Sequence, residues 1–100
     1  MKLIELNLQR IFELCKKYRV KTLAVFGSIL TDRFSDQSDV DLLVNFEEDV
    51  TYQTYADNFF GLHDALRTLF GREVDLVDES AVKNRYFKEE LDETKRLIYG

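Results

Sequence analysis

Apolar positions fall along this chain in two rhythms. From residue 2 to 19 they recur at helical spacing, as Ile4, Leu8, Ile11, Phe12, Cys15 and Tyr18, which predicts an amphipathic packing helix over 2–19. Lys16, Lys17 and Arg19 gather in its last turn, where cations suit the helix dipole. Residues 22–26 are then an apolar run of strand length, Ile29 to about Arg33 reads as one helical turn, and Ser35-Asp36-Gln37-Ser38 as a polar turn. Over Val40–Phe46 the rhythm is two: Val40, Leu42, Val44 and Phe46 share one face, which predicts a strand with that face in the core. Glu47-Glu48-Asp49 is a solvated acidic loop. Residues 52–70 return to helical spacing with Tyr52, Tyr55, Phe59, Leu62, Leu66, Leu69 and Phe70, and Gly71 is a natural stop. Gly61 inside that helix costs about 1 kcal/mol against alanine and implies close packing. Glu73–Val77 is a third strand. Ser80 is the expected N-cap of a final helix through about Asp92, with Val82, Tyr86 and Leu91 inward, and Arg96–Tyr99 is a short extended piece.

Strand, long helix, strand implies a parallel crossover that sets the third strand beside the second. The link between the first two strands is too short for such a crossover, so they pair antiparallel. The expected fold class is α/β (α+β), a three-stranded mixed sheet in order 1-2-3 with covering helices, one domain over residues 1–100.

Composition narrows the function. No apolar run is long enough to span a membrane. The formal net charge of −5 argues against direct, non-specific binding of nucleic acid, which needs a basic surface. The one cysteine, Cys15, lies on the first helical stripe as a small core residue; it excludes an internal disulfide and fits a cytoplasmic location. His63, the only histidine, is a partly buried packing residue with no second histidine to share a zinc ion.

The chemistry concentrates between Val25 and Val44. Gly27-Ser28 ends the first strand, where a glycine admits a close backbone or phosphate and free N–H groups can bind anions. Asp39 and Asp41 flank Val40 and so point the same way. At about 4 Å two such carboxylates repel by roughly 1 kcal/mol in water and roughly 4 at an effective dielectric of 20. A divalent cation reverses that sign. The parallel crossover lets Asp75, central in the third strand, join them on one face.

Gly27-Ser28 followed, after ten residues, by Asp39-Val40-Asp41 resembles the signature of the DNA polymerase β nucleotidyltransferase superfamily. The resemblance is to its smallest members, the minimal nucleotidyltransferases that act as antitoxins beside HEPN-domain toxins, and covers nearly the whole chain. It implies transfer of a nucleoside monophosphate, AMP from ATP, to a hydroxyl, a tyrosine of a HEPN-domain partner. It implies two Mg²⁺ or Mn²⁺ ions on Asp39 and Asp41, with Asp75 holding metal or taking the proton of the incoming hydroxyl, and Gly27 and Ser28 gripping phosphates. Where the family carries Ala-Arg-Gly, this chain has Leu30-Thr31-Asp32, and Arg33, two positions along, is either the substitute phosphate ligand or a solvated residue. A non-catalytic binding antitoxin and a small-molecule nucleotidyltransferase subunit are the alternatives. Five tyrosines and eight phenylalanines suit an interface, in a homo- or hetero-oligomer, expected at the rim of the aspartate face through Tyr52, Tyr55 and the 47–51 loop.

Overall fold

Strand β1 (Val20–Phe26) and strand β2 (Val40–Phe46) run antiparallel, with Leu23 opposite Val44 and Phe26 opposite Asp41. This pairing is the centre of the computed structural model, which describes residues 1–100. Strand β3 (Val74–Asp78) pairs parallel to β2, with Asp41 opposite Asp75. The connection from β2 to β3 is helix α3 (Tyr52–Phe70), as the crossover argument requires. The sheet has a fourth strand that the sequence pattern did not resolve: β4 (Arg96–Tyr99) lies antiparallel on the free edge of β1. The order is therefore β3-β2-β1-β4, four strands rather than three, with the expected 1-2-3 order intact inside it.

The single helix expected over 2–19 is two, α1 (Lys2–Leu6) and α2 (Leu8–Lys17). Asn7 breaks it. Its side-chain amide donates to the Leu3 carbonyl at 2.8 Å, a local bond that competes with the helical ladder, and its backbone leaves the helical region at φ −118, ψ 11. The break still lets Ile4 and Ile11 reach the core, both essentially inaccessible. Arg19 adopts φ 61, the reversal that turns the chain into β1 two residues earlier than the pattern implied. Phe12, on the predicted stripe, sits at its margin, its ring tilted against Tyr99 of β4.

Alternation in the strands sorts the core into two layers. Leu23, Val25, Val40, Leu42 and Val44 face α1, α2 and α3, where they meet Ile11, Cys15, Leu62, Leu66 and Phe70. Gly61 allows the close approach read from the sequence, since a side chain there would strike the Tyr18 ring. Leu42 is fully buried, and its truncation to alanine belongs in the range of about 2–5 kcal/mol. The opposite face is thin: Ala24 and Leu43 meet Leu91, with Phe26, Val77 and Val82 at the edges. Leu91 belongs to helix α4 (Arg85–Thr94).

Ser80 does not cap that helix. Asp78 accepts the Ser80 N–H at 2.9 Å and its hydroxyl at 2.7 Å, which closes a 3₁₀ turn over Glu79–Ala81. Asn84 is the N-cap, its side chain accepting the Phe87 N–H at 3.0 Å. A helix begun there sets Phe87 and Leu91 on its inner side and leaves Tyr86 exposed, where the sequence pattern had it packed. His63 is the packing residue expected of it, its Nε2 2.7 Å from the Val74 carbonyl.

Candidate active site

Asp41 and Leu43 lie on the same side of β2, so the aspartates open on the thinly covered α4 face. Asp39 immediately precedes β2 and is exposed; Asp75 is exposed on the edge strand; Asp41, between them in the sheet, is half-buried. Register sets Asp41 directly beside Asp75 across the parallel pair and beside Phe26 across the antiparallel one. Asp41 feels the other two. The Asp41 carboxyl is raised above the ordinary range by burial first, then by the charges of Asp75 and Asp39, while the Ser28 backbone N–H pulls the other way by bonding its charged form.

Gly27 opens a 3₁₀ turn over Gly27–Leu30, shorter and beginning two residues earlier than the turn read from the pattern. It has φ 77, and a methyl group built on it would run into the Asp41 carboxylate, with Cγ at 3.1 Å. Glycine is therefore needed twice, for the backbone angle and for the space that the carboxylate fills. Ser28 is half-exposed in the same turn, and its carbonyl accepts the Thr31 hydroxyl at 2.8 Å.

Arg33 lies in the exposed segment after that turn. Its backbone N–H donates to Thr31 Oγ1 at 3.2 Å, and its guanidinium has no hydrogen-bond or ion-pair partner. A cleft of about 560 Å³ opens beside Gly27, lined by Thr31, Glu90, Glu93, Lys95 and Arg96 among others, and not by Arg33. Lys95 is committed to Glu79 at 2.5 Å and Asp92 at 3.3 Å, which leaves Arg96 as the unpaired cation there. Sequence reasoning missed this wall because it is built from α4 and β4, and β4 reaches β1 only through long-range pairing.

Tyr52 and Tyr55 are not at the aspartate rim. Tyr52 opens α3 beyond the far end of β2, five residues of strand or roughly 17 Å at about 3.3 Å each from Asp41, and Tyr55 packs on Phe46 on the α3 side of the sheet, opposite the face that carries Asp41. The Tyr55 hydroxyl donates to Asp78 at 2.5 Å, in the rung that pairs with Val44. Burial first, then that bond and the Asp78 charge, raise the phenol above its ordinary range. The aromatics nearest the aspartates in register are Phe26 and, packed edge-on against it at 6.3 Å between ring centres, Phe87.

The donor set near Asp41 is all carboxylate. Cys15 is buried in the core and His63 is engaged with β3, so a hard cation such as magnesium or manganese fits and zinc does not. No three acidic, histidine or cysteine side chains stand close enough together to hold an ion, so the three-aspartate ligand set expected from the sequence is not assembled in this structure.

A glycine turn pressed against an aspartate pair, on a mixed sheet whose third strand supplies another carboxylate, is the framework of a nucleotidyltransferase. The chain belongs to the family described as polymerase beta, nucleotidyltransferase, whose model matches residues 9–100. Its relatives agree. It is 43% identical over 84 residues to a Methanocaldococcus jannaschii protein provisionally named a protein adenylyltransferase, covering 84% of this chain and 80% of that one. It is 37% identical over 81 residues to the protein adenylyltransferase MntA of Thermococcus cleftensis, covering 81% and 78%. Among solved structures it resembles a provisionally described minimal nucleotidyltransferase, with TM-score 0.70, 26% identity and coverage of 95% of this chain and 92% of that one. The fold also recurs in the structure of a tri-AMPylated Shewanella oneidensis HEPN toxin in complex with MNT antitoxin, with TM-score 0.66, 18% identity and coverage of 96% and 71%.

Proposed function

We propose that this nucleotidyltransferase moves AMP from ATP onto a tyrosine hydroxyl of a HEPN-domain partner and silences it, as an antitoxin. The observation that carries the reading is Asp41 packed against the Gly27 turn and directly beside Asp75 in the β2–β3 pair, with Asp39 just before β2, in a chain whose relatives are named protein adenylyltransferases.

In this reading the Ser28 hydroxyl, half-exposed in the 3₁₀ turn, would meet the triphosphate, while the Ser28 backbone N–H stays with Asp41. Asp39 and Asp41 would hold the divalent cation, Mg²⁺ or Mn²⁺, which offsets the charge that develops on the phosphates. The phenolic oxygen forms a bond to the α-phosphorus, the bond from that phosphorus to the bridging oxygen breaks, and pyrophosphate leaves. Asp75, exposed on β3 beside Asp41, would receive the phenolic proton. Arg96 in the cleft beside Gly27 is better placed than Arg33 to meet a phosphate or the partner.

A second reading is a binding antitoxin without catalysis, and one observation favours it: Leu30-Thr31-Asp32 stands where the family carries Ala-Arg-Gly. The two are separated by co-expressing the chain with a HEPN-domain protein encoded beside it and supplying α-labelled ATP with Mg²⁺. The transferase reading expects label on the partner's tyrosine and loss of its toxicity, both abolished by Asp39→Asn with Asp41→Asn. If that double mutant still suppresses toxicity with no label transferred, the binding reading is correct.

A further inference from the structure

Asp39 carries half of the aspartate pair, yet no strand holds it. It precedes the first residue of β2, and its side chain has no hydrogen-bond partner. The segment Thr31–Ser38 that delivers it is held mostly by bonds between near neighbours: Phe34 N–H to the Thr31 carbonyl, Ser35 N–H to Ser38 Oγ, Ser38 N–H to the Ser35 carbonyl and Gln37 N–H to Ser35 Oγ. Such bonds shape a loop without fixing it to the sheet.

One side chain reaches this loop from elsewhere. Arg72, between the α3 stop at Gly71 and the start of β3, donates through Nη1 to the Ser35 carbonyl at 2.8 Å and the Ser38 carbonyl at 3.0 Å. Its guanidinium lies over the Phe34 ring, 4.8 Å from the ring centre. The Ser38 carbonyl is amide-bonded to Asp39 itself. Arg72 is also one residue from Glu73, whose carbonyl accepts the Val40 N–H at 3.1 Å. The arginine thus spans from the strand that carries Asp75 to the peptide unit that carries Asp39.

We infer that Arg72 is a positioning residue that sets Asp39 against Asp41 and Asp75, acting on the loop backbone rather than on substrate. Its charge is not among the influences on Asp41, which are burial, Asp75, Asp39 and the Ser28 amide, so its effect is geometric. A guanidinium suits this task because its planar face stacks on Phe34 while its N–H groups point at carbonyls.

The inference rests on the nucleotidyltransferase reading of the site, and two measurements test it. In metal-free protein, Arg72→Met should raise hydrogen exchange of amides 35–39 by at least about tenfold while leaving Val40–Phe46 protected. Mn²⁺ uptake with ATP, followed by loss of the free-ion electron paramagnetic resonance signal, should weaken about 10–100-fold in Arg72→Met. Arg72→Lys should fall between, because an ammonium can bond the carbonyls but not stack as a plane. In an Asp39→Ala background the Arg72→Met effect on Mn²⁺ should vanish, since the residue it positions is gone. An effect of equal size in both backgrounds, or unchanged loop exchange, overturns the inference. If Arg72→Met fails to fold, Arg72→Lys with the same background test decides the matter. A wild-type protein that takes up no Mn²⁺ with ATP overturns the reading of the site and this inference with it; uptake indifferent to Arg72 overturns the inference alone.

Discussion

Replacing Gly27 by alanine tests the link between the glycine turn and the aspartates, and Gly71 supplies an internal control. Both glycines have left-handed backbone, at φ 77 and φ 66. An L-residue there costs about 1–2 kcal/mol, partly offset by the lower entropy of the unfolded alanine chain, so about 1 kcal/mol net. At Gly71 that is the whole cost, because nothing lies within 4 Å of an added methyl group. At Gly27 the methyl also meets Asp41, with Cγ at 3.1 Å and Cβ at 3.3 Å. The colliding tip is a short, rotatable side chain, so the structure yields by turning the carboxylate off its rotamer, which adds about 0.5–1.5 kcal/mol. Gly27→Ala should therefore cost about 2 kcal/mol against about 1 for Gly71→Ala, read from urea unfolding by circular dichroism. At roughly 4–8 °C per kcal/mol that difference is also visible in Tm. Asp41→Ala removes the carboxylate and leaves only Cβ, at 3.3 Å, so on that background Gly27→Ala should lose most of its excess cost over Gly71→Ala, a coupling of up to about 1 kcal/mol. Gly27→Ala should also lose most of the Tm rise given by Mg²⁺ and ATP, because the displaced carboxylate belongs to the site. Equal costs at the two glycines with a full ligand-induced rise would refute the reasoning.

Other outcomes follow from the same geometry. Asp41 is held above its ordinary value, so folding favours its protonated form: its penalty is absent below the unfolded carboxylate value and appears as pH rises through the folded one. In chelator-treated buffer Asp41→Asn should thus gain on wild type as pH rises, as thermal unfolding across pH 4–8 would record. Saturating Mg²⁺ and ATP, at about 100 times Kd, should stabilise the wild type by about 2.7 kcal/mol, and Asp39→Asn with Asp41→Asn should erase this in differential scanning fluorimetry. Asp75→Asn should leave nucleotide affinity within about tenfold, roughly 1.4 kcal/mol, in a calorimetric titration while cutting labelled AMP transfer far more. Glu79 is penalised by burial, but Lys95 at 2.5 Å, Asn45 at 2.6 Å and the nearby Lys88 outweigh that and lower its carboxyl. Its stabilisation is therefore present above the unfolded value and lost as pH falls through the folded one; Glu79→Gln should cost about 1 kcal/mol at pH 7 and little near pH 3 in urea titrations.

What the sequence disclosed, it disclosed through local periodicity. Val40, Leu42, Val44 and Phe46 alternate so plainly that the strand bounds and the inward face both follow, and the helical spacing from Tyr52 to Phe70 then obliges β3 to lie parallel beside β2. That is enough to bring Asp41 and Asp75 together. Features decided by distant partners stayed hidden. Arg96–Tyr99 is a strand only because β1 has a vacant edge, and Arg72 looks like any polar residue after a helix until Ser35 and Ser38 come within its reach. Local competition hid others: Asn7 and Asn84 each use a side-chain amide to settle a helix boundary that apolar spacing leaves ambiguous. Tyr52 misled because its place on the helical stripe says nothing about which end of the sheet that helix starts from.

The pairing of β4 with β1 also sets a timetable. Val25 waits for Arg96, 71 residues further along the chain. At about 5–20 residues per second, a ribosome takes roughly 4–14 s to deliver the one from the other. Once Leu42 has followed, 17 residues after Val25, β1 has β2 within reach on one side while its opposite backbone N–H and C=O groups face the open, alongside the apolar side chains of Leu23, Ala24 and Val25. The strand from which the Gly27 turn hangs is thus among the first parts of the sheet to be made and the last to be enclosed, and the nascent chain is at its most adhesive in the seconds before β4 arrives.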